Sequence, residues 1–153
     1  MAFITISREF GSLGTTISQN VARSLQYSYI DRTIFEKVLE KYGLVSFQDF
    51  YSSPHSFWDH LESGNKSLMN LFNKTILTIA KIDNTVFVGR AGFVLLHDYE
   101  NVFHVLIKAP FEKRVSNVME SLHIDSRDKA SSLVMQNDHA RSSFIKTFYK
   151  ADQ

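Results

Sequence analysis

The first fifteen or so residues constrain this chain more than any other stretch. Phe3-Ile4-Thr5-Ile6-Ser7-Arg8 reads as an apolar strand, and Glu9-Phe10-Gly11-Ser12-Leu13-Gly14 as a glycine-bearing turn. Thr15-Thr16 then open a run in which Ile17, Val21 and Leu25 recur at four-residue spacing, the mark of an amphipathic helix running to about Tyr27. Strand, turn and helix in that order bring backbone N–H groups and a helix N-terminus together, which is how a loop holds a phosphate. The full pattern of such a loop is G-x-x-x-x-G-K-S/T. Gly14 and Thr16 fit it, but Glu9 stands at the first glycine and Thr15 at the lysine. From these residues alone, a plain strand-to-helix turn with Thr16 as the helix cap has equal weight.

Beyond the loop, Tyr27-Ser28-Tyr29-Ile30-Asp31 reads as a brief strand ending in an acid. Ile34, Phe35, Val38, Leu39 and Tyr42 mark a second helix that Gly43 stops. Val45 to Ser63 is aromatic and reads as irregular or short-helical. A third helix spans Lys66 to Lys81. Thr85-Val86-Phe87-Val88 reads as a buried strand running into Gly89-Arg90, and Val102 to Ala109 as a second one closed by Pro110. Phe111, Val115, Val118, Met119 and Leu122 form one helical stripe, and Ser126 to Lys150 is helical in pattern. Apolar strands alternating with amphipathic helices predict an α/β fold, a parallel sheet covered on both faces.

The 153 residues predict one domain over 1–153. With 17 Lys+Arg against 16 Asp+Glu, bulk attraction to nucleic acid or membrane is not expected. The absence of cysteine excludes disulfides and thiolate metal sites and fits a reducing cytoplasm. No secretory signal is visible after Met1, and no apolar run reaches the ~20 residues of a membrane helix. The six histidines never pair at i, i+4, and no G-x-S-x-G elbow is present, so a histidine metal site and a hydrolase triad both lack footing. The aromatic block from Phe47 to Trp58 reads as core filling or a partner surface before it reads as a base-stacking platform.

Three blocks taken together resemble the cytidylate-kinase-like branch of the P-loop nucleoside monophosphate kinases. They are Ile4 to Gly14, Tyr29-Ile30-Asp31-Arg32, and Val86-Phe87-Val88-Gly89-Arg90-Ala91 continuing through Asn101-Val102 to Ala109-Pro110-Phe111-Glu112-Lys113-Arg114-Val115. Asp138-His139-Ala140-Arg141 resembles, more weakly, the acid-and-arginine helix of a lid. The resemblance implies a P-loop NTPase-like sheet with a helical lid or tail, an ATP donor with Mg²⁺, and CMP or another monophosphate as acceptor. It implies that Gly11, Ser12, Leu13, Gly14, Thr15 and Thr16 hold the donor phosphates, with the Thr16 hydroxyl approaching the metal. Asp31, Arg32 and Arg90 would meet the acceptor, and Arg90 and Arg141, with Arg114 as a weaker match, would neutralise the transferring phosphoryl group.

The chain departs from that family where Thr15 replaces a cation and Ala91 replaces an acid. Members also continue into a last strand, a base-contacting loop and a final helix, so the chain reads as a truncated member or a fragment. Structural alternatives stay open for each residue. Arg90 could pair Glu9 or Asp98, Asp31 could cap the helix after it, and Arg141 could form a solvated i, i+3 pair with Asp138. Two functions are therefore expected. One is a cytidylate-kinase-like phosphotransferase. The other is a catalytically silent relative that senses a ligand or assembles, possible as a homodimer through an uncovered Val102–Ala109 edge.

Overall fold

The structure, a computed structural model, describes residues 2–41, 66–89 and 92–150. The expectations for Tyr42, Gly43, the aromatic block at 45–63, Arg90 and Ala91 lie outside the described residues.

Four parallel strands, β1 (Phe3–Arg8), β2 (Ser28–Ile30), β3 (Thr85–Val88) and β4 (Val102–Ile107), form one sheet in the order β2-β3-β1-β4. β1 aligns Phe3 with Thr85 on one side and with Val102 on the other. Helix α1 (Gly14–Leu25) links β1 to β2, and α2 (Arg32–Lys41) follows β2. Next come α3 (Lys66–Ile79), the single turn α4 (Gly92–Leu95), α5 (Phe111–Leu122) and the long α6 (Arg127–Tyr149). The chain leaves β1 for β2 in one direction and reaches β4 in the other. The C-terminal end of β1 therefore sits at the switch point, where open α/β sheets bind ligands.

Strand alternation builds a core on each face of the sheet. Ile4, Ile6, Val86 and Val88 pack with Ala22 of α1 on one face. Phe3 and Phe87 pack on the other with Phe35 of α2, Phe72 and Ile76 of α3, and Phe144 and Ile145 of α6. Phe35 meets Phe72 edge-on, their ring centres 5.1 Å apart. A third, smaller cluster joins Val115 and Val118 of α5 to Ala130 and Val134 of α6, with Phe10 of the loop against it. α6 is thus anchored at both ends in different apolar clusters, and Asn137, Asp138 and Arg141 lie between the anchors.

The helix over the tail, both faces covered and the buried β3 agree with the sequence reading. β4 does not match its expected burial: Phe103 is 64% and Leu106 41% exposed. The cause is position, since β4 pairs only with β1 among the described strands and forms one edge of the sheet. α4 was not anticipated because one turn is too short to show a period.

Candidate functional site

The loop after β1 is built by its own hydrogen bonds. Glu9 O accepts from Ser12 N at 3.3 Å and from Ser12 Oγ at 2.8 Å, closing a turn whose third residue is Gly11. Gly11 has φ +81°, the value a type II turn demands there. A Cβ at that position would also lie 2.6 Å from Arg114 O. The Gly11 carbonyl accepts from Asn117 Nδ2 of α5 at 2.8 Å. Leu13 then takes a left-handed conformation, φ 60°, and α1 begins at Gly14. Leu13 offers no side-chain cap, so the first turn of α1 keeps its open N–H groups. Thr16 is the third residue of the helix rather than its cap, which removes the capping alternative for its hydroxyl.

Gly14 is required by a close approach rather than by its dihedrals. A Cβ on it would sit 2.4 Å from Arg8 Cβ and 2.5 Å from Arg8 Cγ. The Arg8 side chain therefore runs across the start of α1.

Glu9, at the position of the missing first glycine, ties the loop down. Its Oε2 accepts from Ala109 N at 3.1 Å and lies 3.4 Å from Arg114 Nε. Arg114 Nη1 reaches both Asp138 carboxylate oxygens at 2.9 Å. The Arg114 side chain is only 7% exposed, so this cation braces α5, α6 and the loop instead of facing a ligand. Asp138 and Glu9 are both engaged by Arg114.

Two clefts open at the C-terminal ends of the strands. The first, about 270 Å³, is lined by Gly11, Leu13, Gly14, Thr15 and Thr16 with Asn117 across from them. Ser12 is buried behind the loop and its hydroxyl is spent on Glu9 O. The second cleft, about 180 Å³, is lined by Asp31, Arg32 and Gly89 over the rings of Phe35, Phe72 and Phe87. Arg8, Phe10 and Arg141 line both. Asp31 also caps α2, accepting from Ile34 N at 3.0 Å, so its capping role holds whether or not it meets a ligand. Arg32 pairs with Glu36 one turn on, at 3.6 Å. Near this cleft the Tyr29 hydroxyl titrates above its ordinary range. Burial is the main cause and the Asp31 charge adds to it, while the Arg8 charge opposes the shift.

The structure thus gathers Gly11, Leu13, Gly14, Thr15, Thr16 and Arg141 at one cleft, and Asp31, Arg32 and Arg141 at the other. Sequence reasoning gave no role to Arg8 or Asn117. For Arg8 a signal was present: it continues the Ile4, Ile6 alternation, and that face of β1 is the one α1 covers.

A central β1 with its loop at the switch point, flanked as β2-β3-β1-β4 by parallel strands and helices on both faces, is the P-loop kinase-like α/β fold. The cytidylate kinase-like family model matches residues 3–153, and the chain belongs to that family. Among solved structures, an uncharacterized protein from Eubacterium ventriosum is similar, with a TM-score of 0.75 and 19% identity over 99% of this chain and 80% of its own. Shikimate kinase from Bacteroides thetaiotaomicron has a TM-score of 0.58 and 13% identity, covering 95% of this chain and 82% of its own. A Thermus thermophilus protein has a TM-score of 0.54 and 16% identity, covering 99% of this chain and 85% of its own. At these identities the likenesses speak for the fold. No curated protein sequence matches the chain.

Proposed function

We propose that the protein is a nucleoside monophosphate kinase-like phosphotransferase, moving the γ-phosphoryl group of ATP to CMP or another monophosphate. The terminal P–O bridge of the donor breaks, a new P–O bond forms to the acceptor phosphate, and two diphosphates leave. Catalysis of this kind is chiefly positioning and charge neutralisation. The observation that carries the reading is the meeting of the two clefts at Arg8, Phe10 and Arg141. The donor phosphates would lie along Gly11 to Thr16 against the open N–H groups of α1, and the acceptor phosphate beside Asp31 and Arg32. Arg141 would face the group in transit, and Arg90 would join it from the end of β3.

Among the described residues no cluster of three acidic or histidine side chains is present to hold a metal alone. Mg²⁺ is commonly held by few protein groups plus phosphates, so it would arrive with the nucleotide. Thr16, exposed and on the cleft, fits as its protein ligand. The metal would offset charge on the phosphates. Monophosphate-dependent ATP turnover in a coupled assay, with ATP binding by calorimetry, tests the proposal. Absence of both would overturn it.

Thr15 favours a second reading, because a neutral, exposed side chain stands where the loop's cation belongs. In that reading the protein is a catalytically silent relative, a ligand sensor or an assembly module using the β4 edge. Thr15→Lys helps separate the two: a large gain of turnover marks a poised but disarmed kinase, and no turnover either with or without the substitution marks a binding module.

A further inference from the structure

We infer that Arg8 supplies the phosphate-facing cation that the loop lacks at Thr15. The inference rests on the phosphotransferase reading and deepens it by naming a residue outside the loop pattern. A lysine at position 15 would reach its charge back over the loop from the first turn of α1. Arg8 lines the same cleft as Thr15. It is the last residue of β1, and its stem is laid across the start of α1 by its contact with Gly14. That contact confines the first two carbons of the side chain, so less rotamer entropy remains to be lost when a ligand binds.

The guanidinium's destination follows from the clefts. Among the described residues, Arg8 and Arg141 are the cations that line both the loop cleft and the Asp31–Arg32 cleft. A phosphoryl group in transit must pass that junction. Arg8's influence on the Tyr29 hydroxyl, beside Asp31, agrees with a charge placed toward the acceptor side. Arg114 cannot serve, because Glu9 and Asp138 hold it in the brace behind the loop. An arginine also suits the position chemically, since its planar fork can bind oxygens of two phosphates at once, where a lysine offers one point charge. The replacement thus moves the cation from the helix to the strand and leaves the Thr15 side chain free of that duty.

The test uses the full chain, with MgATP and inorganic tripolyphosphate as calorimetric probes and a coupled assay for monophosphate-dependent turnover. Arg8→Met keeps the stem over Gly14 and removes the charge. It is expected to lower kcat about a hundredfold, the usual effect of losing one preorganised electrostatic stabiliser. Tripolyphosphate affinity is expected to fall about tenfold, and adding Thr15→Lys to Arg8→Met is expected to restore most of both. Wild-type turnover and tripolyphosphate affinity retained in Arg8→Met would overturn the inference and leave the kinase reading standing. Tripolyphosphate binding that depends on Arg8, without any turnover in the wild type, would support the anion role of Arg8 and sink the kinase reading. A wild type that binds neither probe overturns both. Should Arg8→Met fail to fold, Arg8→Lys takes its place. That variant keeps stem and charge but loses the fork, so kcat should fall while polyphosphate affinity largely persists; an unchanged kcat overturns the inference.

Discussion

Gly14 shows how one missing side chain determines the position of another. Its φ is ordinary for a helix, so any residue could adopt it, yet a β-carbon there would overlap the Arg8 stem. Gly14→Ala is therefore expected to displace Arg8 and weaken polyphosphate binding, while thermal stability falls by about 1–3 kcal/mol from overpacking. Calorimetry and thermal melts of the same variant check both halves; unchanged binding would show that the contact does not fix Arg8. At Gly11 the demand is of the other kind, a positive φ in a turn. Sequence reading recognised Gly14 from its spacing and Gly11 from the family resemblance, but only the folded chain separates a dihedral requirement from a steric one. The same limit applied to Glu9. Its departure from the glycine pattern was visible, whereas its bonds to Ala109 N and Arg114 span about a hundred residues and leave no local trace.

At the scale of elements, the brace of Glu9, Arg114 and Asp138 joins the loop to α5 and α6. Removing one partner of a buried cation leaves charge uncompensated, so Asp138→Asn is expected to cost about 1–3 kcal/mol, less than a wholly buried pair because Asp138 is partly exposed. Chemical denaturation measures the loss, and a neutral result would show that Arg114 is held by other contacts. The elements themselves were largely legible, since α1 and α5 carry a clear helical period and β1 and β3 are short apolar runs bounded by turns. The burial of β4 was not. An edge strand and a central strand can share the same apolar composition, and only the sheet order tells them apart. The candidate site was half legible for a related reason: pattern matching named loop residues and Arg141, which line the clefts, but not Arg8, which lines both.

For the whole molecule, the β4 edge, which has no second partner among the described strands, carries exposed Phe103 and Leu106 on opposite faces of the strand. Such an edge invites pairing. Concentration-dependent self-association is expected by light scattering, and Phe103→Lys is expected to reduce it; a wild type that stays monomeric at every concentration removes the assembly role of β4. Alkaline stability has a second global handle. The Tyr149 hydroxyl at the end of α6 donates to Asn73 Oδ1 of α3 at 2.8 Å, and burial raises its pKa well above the ordinary 10. Below pH 10 both states keep the proton and the stabilisation is complete. Above it the unfolded chain loses its proton first, so stability falls as pH rises. Tyr149→Phe is expected to flatten that part of the melting-temperature curve; an equally steep fall would assign it to other groups. α6, fixed in separate apolar clusters on either side of Arg141, behaves as a beam rather than a hinge. Arg141 is held at the junction of the two clefts by that anchoring, so under the proposed function it would need no helix movement to meet a ligand. Encounter with an anion at Arg141 should then follow a single exponential whose rate rises linearly with ligand concentration, with no plateau set by a closing helix.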